Sequence, residues 1–363
     1  MSSNLFTIQA PPTAANAVIR LNPSDNVAIA RANLPTGQRI EIDGREIVAA
    51  SPIPAGHKVA IQPIPAGGVV LRYAEIIGRA KREIAPGDHV HTHNVGFEEF
   101  EMAYEFPDGD APAPPRVGPI PKIEAYLRPD GRVGTRNYIA IVSASNCASH
   151  AADLIAAAFA PEDLPPNVDG VVAFTHGEGC GHSIGPDTEQ LHRVVAGVLH
   201  HPNVAGAVLL GLGCEVNQID AYLPPGARRT DHITATTLQA SGGTRSTVAA
   251  GVAAVREHFD RIAGLARESL PASGINLGLN CGGSDSFSGI TANPALGYCS
   301  DLLAAIGATA VLAETPEIFG AEHLLVRRAH NRAVAEKLLS CVREYKAYLN
   351  RFSGSFDDNP SPG

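Results

Sequence analysis

The fold is indicated first by residues 138–147, which read Tyr-Ile-Ala-Ile-Val-Ser-Ala-Ser-Asn-Cys. Its first five residues, Tyr138–Val142, form a continuous apolar run, which is typical of a strand that is buried on both faces of a sheet. The runs at 171–174 and 204–210 have the same character, and each is followed by a Gly-rich or polar turn and then a helical stretch. This alternation predicts an α/β fold in which crossover helices connect the strands of a mostly parallel sheet.

The alternation continues from about residue 126 to the end of the chain. We expect strands near 138–145, 169–176, 203–213, 232–238, 275–280 and 309–314. We expect helices near 148–159, 187–199, 244–268, 294–306 and 322–351. The last helix is long and charged on one face, which indicates a solvated surface helix.

Reactive side chains follow most of the predicted strands. They are Cys147, His176, Cys180, Cys214, Glu215, Cys281 and Glu314. Ligands of open parallel sheets bind outside the carboxyl ends of the strands, so side chains at these positions are expected to gather in one crevice. The sequence therefore predicts an active site built from thiols, an imidazole and carboxylates.

The segment 175–182 is the densest of these groups, with His176 and Cys180 set among glycines. Imidazole and thiolate ligands suit iron or zinc, and a glycine-rich turn with incidental polar residues is the alternative. A free cysteine usually packs as a small hydrophobe, and the cysteine spacing matches no local zinc or ferredoxin pattern. Their shared position at strand ends predicts one metal or cluster site formed by Cys147, Cys180, Cys214 and Cys281. Cys299 and Cys341 lie within predicted helices and are expected to be core thiols.

Two further polar segments are candidate substrate-binding sites. The loop at 281–289 offers Ser284 and Asp285, and Asn293 follows at a helix start, where backbone amides bind carboxylates. Capping of that helix is the alternative. The segment 132–137 offers guanidinium groups for a carboxylate, with a solvated turn as the alternative. Its candidate residues are Arg132, Thr135, Arg136 and Asn137.

Residues 1–106 are predicted to form a small all-β domain. Short candidate strands at 26–30, 39–42, 57–61 and 69–73 alternate with turns that contain proline or glycine. Alternate residues of a strand point to the same face, which indicates that His89, His91 and His93 share a ligand. An exposed polar strand face is the alternative. On the first interpretation, substrate is bound by His57, Lys58, His91 and His93.

Length and composition limit the possible domain organisation, partners and location of the protein. A chain of 363 residues is too long for one ordinary core, and six prolines within 107–121 predict an extended linker before a catalytic domain at 122–363. The formal charge of −9 argues against a nucleic-acid partner. The apolar runs are too short to span a bilayer and no export signal is present, so the six cysteines are expected to be thiols in the cytoplasm.

Together these motifs make the chain similar to the altronate/galactarate dehydratase family. The resemblance rests on residues 25–28, 56–60, 131–137, 146–147, 176, 179–181, 211–215, 281–285, 288–289, 291–295, 314, 323–325 and 359–363. Residues 90–94 look more like the altronate than the galactarate branch. The resemblance implies an N-terminal SAF domain with a small β-clip fold. It also implies iron(II)-dependent dehydration of a hexonate or hexarate to a 2-keto-3-deoxy acid, and both a mononuclear iron and an iron–sulfur cluster are compatible with it.

The chain departs from the family pattern in two places. Family members usually carry a histidine where this chain has Asn22. They also continue beyond the motif that ends at Gly363, so we expect a truncated chain whose exposed apolar patch promotes self-association.

For the chemistry, we expect His176 to act as general base, because imidazole titrates near neutral pH. Glu215 is a second candidate base or an orienting group, and Asp285 is a further catalytic candidate. The expected partner is a small-molecule sugar acid, without nucleic acid or membrane, and with a homo-oligomer left open. A sulfo-lyase acting on sulfolactate and an inactive sugar-acid-binding protein are the alternatives.

Overall fold

The computed structural model describes residues 13–96, 103–111, 118–225, 229–282 and 285–356. Contacts divide the chain into two compact units. Unit 1 comprises Met1–Pro115, Leu277–Ala305 and Ala310–Gly363, and unit 2 comprises Arg116–Asn276 and Ile306–Thr309. Part of the predicted linker, at 112–117, lies outside the described residues, and the domain boundaries given above remain predictions.

The N-terminal part of unit 1 is an all-β region, as the sequence predicts. Its strands are β1 (Val18–Ile19), β2 (Val27–Ala30), β3 (Arg39–Ile42), β4 (Arg45–Val48), β5 (Lys58–Ala60), β6 (Val69–Arg72), β7 (Glu75–Ala80), β8 (His89–Val90) and β9 (Val95–Gly96). They form sheets of order β1-β2-β5-β8, β6-β7-β9 and β3-β4, and every pairing is antiparallel. Strands this short hold together because Val, Ile and Ala side chains from several sheets meet in shared cores.

Unit 2 contains seven strands and three helices among the described residues. They are β10 (Lys122–Leu127), β11 (Val133–Gly134), β12 (Tyr138–Ser143), α1 (Ser149–Ala157), β13 (Gly170–Phe174), α2 (Pro186–Leu199), β14 (Val204–Gly211), β15 (Ile233–Thr237), α3 (Thr244–Ile262) and β16 (Glu268–Pro271). The order β13-β12-β14-β15 forms a sheet whose pairs are all parallel. This confirms the α/β prediction, and β11-β10-β16 form a separate antiparallel sheet.

Helices cover both faces of the parallel sheet, which explains its continuous apolar strands. On one face, Ala140 and Val142 pack in a cluster with Leu191 and Val195 of α2. On the other face, Ile139 and Ile141 share a cluster with residues of α1 and α3, among them Ile155, Val255 and Phe259. Successive residues of β12 therefore point into two different cores.

The last part of the chain differs from the prediction in two ways. β17 (Asn276–Leu279) and β18 (Thr309–Leu312) pair only with each other among the described strands. The expectation of one sheet with six strands is therefore wrong, because the chain first leaves the parallel sheet to pair β16 with β10. The predicted helix at 322–351 is also two helices, α5 (Glu322–Val326) and α6 (Arg332–Asn350), and Asn331 caps α6 through a bond from the Val334 amide.

Helix α4 (Ala292–Ala305) connects β17 to β18. None of its side chains is buried, so Cys299 is exposed and not a core thiol. Cys341 is exposed as well, because the buried residues of α6, such as Leu339 and Val342, occupy a different face. Among the described residues, no helix combines the length and hydropathy that crossing a membrane requires.

Candidate active site

Three of the four predicted cysteine ligands come together at the carboxyl edge of the parallel sheet. Val142 of β12 pairs in register with Phe174 of β13, so the two strands end side by side and their following turns start at the same edge. Interaction with the Cys147 thiol is the main cause that raises the pKa of Cys180, and the charge of Cys214 adds to it. Cys214 also accepts a bond from Gln239 Nε2 at 3.3 Å. We call Cys147, Cys180 and Cys214 the thiol cluster.

Backbone hydrogen bonds hold the loops of the thiol cluster together. The amide of Asn146 donates to the Glu178 carbonyl at 2.8 Å, which links the first loop to the second. The amide of Val216 donates to the Cys180 carbonyl at 2.9 Å, which links the third loop to the second. The position of each thiol is therefore set by neighbouring loops as well as by its own strand.

Both ring nitrogens of His176 are engaged by the backbone. Nε2 donates to the Ser143 carbonyl at 3.1 Å, and Nδ1 accepts from the Glu178 amide at 3.2 Å. A general base needs a free lone pair toward the substrate. In this geometry His176 holds the β13 loop against the end of β12, and neither nitrogen is open to take a proton.

Glu215 is a buried carboxylate, with 2 % of its surface exposed. Its Oε2 accepts a short hydrogen bond from the Gly213 amide, whereas Oε1 is fully buried and has no hydrogen-bond partner among the described residues. A Cβ at Gly211 would lie 2.2 Å from Oε1, so only glycine leaves room for this oxygen. A buried carboxylate oxygen without a donor is expensive unless a proton or a cation satisfies it.

The segment 132–137 is not brought to this edge of the sheet. It precedes β12, and a strand of six residues separates it from the thiol edge by about 20 Å. Its groups bind neighbouring protein atoms: Arg132 bonds Asp130 and the His200 carbonyl, the Thr135 amide donates to Asn203, Arg136 pairs with Asp169, and Asn137 is buried. These contacts indicate that the segment anchors the amino ends of the strands.

Cys281 belongs to unit 1, together with the acidic residues that follow β18. The ligand atoms of Cys281, Glu314 and Glu317 lie within 4.8 Å of one another, which makes this trio a second candidate cation site. Ser284 lies outside the described residues. The Asp285 side chain accepts bonds from the amides of Phe287 and Ser288, so it shapes its own loop, and Asn293 is exposed in the first turn of α4.

The β region gathers the predicted imidazoles into one cluster. His57 Nδ1 lies 3.0 Å from His89 Nε2, and the rings of His57, His89 and His91 are 5.0 to 5.5 Å apart, centroid to centroid. The His93 ring is tilted against the His89 ring, with their centroids 5.4 Å apart. Burial first, and then the neighbouring cations, lower the pKa of His57 and His91 and bring the pKa of His89 to about 4. At neutral pH the lowered pKa values keep the rings of His57, His89 and His91 largely uncharged and able to accept hydrogen bonds.

Sequence reasoning missed one cation in this region, Arg72 at the end of β6. Its Nε and Nη2 atoms are buried and have no hydrogen-bond partner among the described residues. Burial, and then the charge of Arg72, lower the pKa of Lys58. In the sequence Arg72 is a basic residue before a tight turn, where Tyr73 and Ala74 have φ values of 59° and 62°, and no distinctive pattern marks it.

Three family models match consecutive parts of the chain. They describe an altronate/galactarate dehydratase SAF domain at residues 16–98, a D-galactarate dehydratase/altronate hydrolase second domain at 125–263, and a D-galactarate/altronate dehydratase C-terminal region at 272–363. The chain is 34 % identical to an altronate dehydratase of Bacillus subtilis over 95 % of its own length and 69 % of that protein. It is 36 % identical to a galactarate dehydratase (L-threo-forming) of Escherichia coli over 99 % of its length and 71 % of that protein.

A weaker similarity is to subunits of (2R)-sulfolactate sulfo-lyases. The β subunit of a (2R)-sulfolactate sulfo-lyase from Chromohalobacter salexigens is 30 % identical over 63 % of this chain and 56 % of that subunit. An α subunit from Paracoccus pantotrophus is 46 % identical over 48 residues.

Proposed function

This chain belongs to the altronate/galactarate dehydratase family, and on that premise we propose that it is a hydro-lyase that removes water from a sugar acid. The proposed substrate is an altronate-type hexonate or galactarate, and the proposed product is the 2-keto-3-deoxy acid. The observation that carries the proposal is that Cys180 interacts with Cys147 and Cys214 at the carboxyl edge of the parallel sheet, where the buried Glu215 follows Cys214 in the chain. Such convergence of reactive groups at the carboxyl edge of a parallel sheet is typical of an active site.

Iron(II) is the proposed cofactor. The chemistry of the three thiols fits it, while their sulfurs are spaced more widely than the ligand atoms of Cys281, Glu314 and Glu317, which lie within 4.8 Å of one another. Thiolates are soft ligands that suit iron, and the Cys147 and Cys180 thiols are close enough to perturb each other's ionisation. The unpartnered Oε1 of Glu215 supplies a negative charge in the same region. The metal would be held by Cys147, Cys180 and Cys214. The group formed by Cys281, Glu314 and Glu317 is the alternative site. When bound, iron supplies a Lewis acid that stabilises negative charge on the substrate.

The protein must also remove the proton next to the substrate carboxylate. Because both nitrogens of His176 are engaged, we assign the base to Glu215, whose Oε1 has no hydrogen-bond partner among the described residues. This assignment requires that substrate binding exposes Oε1, which is buried in the free protein. His176 then positions the thiol loop. The neighbouring hydroxyl departs with a proton as water, and the enol that remains rearranges to the 2-keto acid.

A sulfo-lyase acting on sulfolactate is the second candidate, supported by the similarity to both subunits of such enzymes. The elimination is analogous, since a proton is lost next to a carboxylate while sulfite leaves in place of water. The shorter coverage of the chain makes this candidate the weaker one.

The proposal is tested by turnover. The purified chain is first loaded with iron(II) under anaerobic conditions. Altronate, galactarate and sulfolactate are then added in separate incubations. Formation of a 2-keto-3-deoxy acid supports the hydro-lyase, and release of sulfite supports the second candidate. Binding of a sugar acid without any product over a long incubation would contradict both, and would favour a sugar-acid-binding protein.

The metal site is tested by iron titration of variants. Cys180→Ser should lower the iron stoichiometry or weaken the affinity at least about tenfold, because it removes a ligand from the thiol cluster. Cys341→Ser is the matched control, since its thiol is exposed on α6. If Cys281→Ser abolishes binding while Cys180→Ser leaves it unchanged, the iron belongs at the second candidate cation site.

A further inference from the structure

Four imidazoles of the β region form one cluster at the edge of the sheet that contains β5 and β8. The antiparallel register places Val59 opposite His89, and extending it by two residues places His57 opposite His91. Because alternate residues of a strand share a face, His57, His89 and His91 point to the same side. These three rings are partly exposed and His93 is exposed, so the cluster is open to an ion from solvent.

The spacing of three of these rings matches that of imidazoles around one metal ion. A ligating nitrogen lies about 2.1 Å from zinc, its ring centre about 3.2 Å from the ion, and two such rings at the tetrahedral angle about 5.2 Å apart. The observed centroid separations are 5.1 Å for His57 and His89, 5.0 Å for His57 and His91, and 5.5 Å for His89 and His91. The rings therefore need to turn in place, without moving apart, to aim three nitrogens at one point.

Two of the nitrogens already lie close to each other, and the third is identified by a hydrogen bond. Nδ1 of His57 and Nε2 of His89 are 3.0 Å apart, and neighbouring ligand atoms on one zinc ion are about 3.4 Å apart. Nδ1 of His91 lies 3.0 Å from Thr92 Oγ1, which leaves Nε2 to bind the ion. A histidine ligand typically donates its other ring N–H to a neighbouring oxygen in this way.

Backbone hydrogen bonds hold the three histidines in place. Asn94 has no exposed surface. Its side-chain oxygen accepts a bond from the His91 amide at 2.9 Å, and its side-chain nitrogen donates to the His89 carbonyl at 2.9 Å. On the other strand, the His57 carbonyl accepts a bond from the Ala30 amide of β2 at 2.9 Å. Ligands fixed in this way can hold an ion at a defined geometry.

The donor atoms indicate which kind of ligand the cluster takes. Among the described residues, none of these imidazoles forms an ion pair with a carboxylate, unlike His323 and His330. Neutral imidazoles suit zinc and other divalent first-row metals, because each offers one nitrogen lone pair. The thiol cluster presents softer sulfur donors and shares no residue with this group, so the two sets of ligands are chemically distinct.

We infer that His57, His89 and His91 bind a Zn²⁺ ion in the β region, through Nδ1 of the first and Nε2 of the other two. The ion connects β5 to β8, a strand of only two residues, and to the turn that follows it. Its binding energy adds to the stability of this part of the fold. The inference goes beyond the proposed function, since this site requires neither the sugar acid nor iron.

Zinc binding is measured by calorimetry on the full chain without a polyhistidine tag, after its thiols have been blocked with iodoacetamide. Blocking removes competition from the six cysteines, which are all free thiols. We expect one Zn²⁺ ion to bind. His57→Asn, His89→Asn and His91→Asn should each weaken the affinity at least about 100-fold, because each removes a ligand rather than an outer partner.

Two further variants test the geometry. Thr92→Val keeps the shape of the side chain and removes only the oxygen that orients His91, so it should weaken zinc binding about tenfold. His150→Asn is the matched control, because it removes an exposed imidazole from α1, and it should leave the affinity unchanged. Circular dichroism checks that each variant is folded.

A measurement on the unsubstituted protein makes the test independent of any change in folding. In 1H–15N spectra of the histidine side chains, Zn²⁺ should leave His57 protonated at Nε2 alone. It should leave His89 and His91 protonated at Nδ1 alone, because the ion takes the other nitrogen of each ring.

The outcomes are decisive for the site and independent of the dehydratase assay. Weakened binding in the three histidine variants, together with these ring signals, supports the inference. If the thiol-blocked chain binds no zinc, or if the three variants bind it as tightly as wild type, the inference is wrong. The 3.0 Å contact is then only a hydrogen bond between two imidazoles, and the proposed hydro-lyase is unaffected.

Discussion

Strands β12 and β18 have similar apolar sequences and opposite environments. In β12, Ile139, Ala140 and Ile141 have no exposed surface, because helices cover both faces of the sheet. In β18 all four residues are exposed, including Val311 at 48 % and Leu312 at 56 %. The comparison shows that an apolar run predicts a strand well, while its burial depends on which elements the rest of the chain places against it.

The difference follows from the two sheets. β12 is an inner strand of four, with α1 and α3 on one side and α2 on the other. β18 belongs to a sheet of two strands, and α4, which connects them, buries no side chain. A two-stranded sheet has little stability of its own in water.

The largest expected effect on stability comes from shortening a side chain in the core. Ile141→Ala should lower the free energy of unfolding by about 4 kcal/mol, since it leaves a cavity in a fully buried site. Leu312→Ala should change it by less than about 0.5 kcal/mol. Denaturant unfolding measures the loss of stability in each variant, and hydrogen exchange of the β12 and β18 amides reports how strongly each strand is protected. Similar losses of stability for the two variants would show that β18 is covered in solution.

A second effect is specific to the parallel sheet and depends on pH. His258 of α3 is 1 % exposed, packs against Gly206 of β14 and accepts a bond from Arg261 at 2.8 Å. Burial, and then the charge of Arg261, lower its pKa to about 3 from 6.5. The unfolded chain therefore binds a proton below pH 6.5 that the folded chain does not bind.

The free energy of unfolding contributed by neutral His258 is fully present above pH 6.5. It decreases as the pH falls toward 3, and about 3 kcal/mol of it is lost at pH 4. His258→Gln should remove this part of the slope, whatever it does to stability at pH 7. Unfolding curves between pH 4 and 8 measure it, with exposed His150→Gln as control. An unchanged slope in His258→Gln would mean that other groups cause the acid sensitivity.

The smallest effect concerns the exposed face of α4. Leu302 is 53 % exposed and Tyr298 is 66 % exposed, so Leu302→Lys should alter the free energy of unfolding by less than about 0.5 kcal/mol. Light scattering should at the same time show less self-association if this apolar face mediates it. A loss of several kcal/mol instead would indicate that a second copy buries this face.

The candidate site shows the same division between what sequence reveals and what it does not. The strand-end rule placed Cys147, Cys180 and Cys214 at one edge, because register in a parallel sheet aligns consecutive strand ends. The same rule failed for Cys281, whose strand pairs in another sheet. It also gave no warning that the backbone would occupy both nitrogens of His176.

The sequence by itself determined the alternation of elements, the β region at the start and the family, because these depend on local periodicity and on motifs along the chain. Only the tertiary structure decided which strands share a sheet, which thiols meet and which charges stay unpaired. Arg72 illustrates the reason: a basic residue before a turn has no distinctive local pattern. Its burial becomes visible only when folding brings Gly289, which is distant in sequence, next to its guanidinium group.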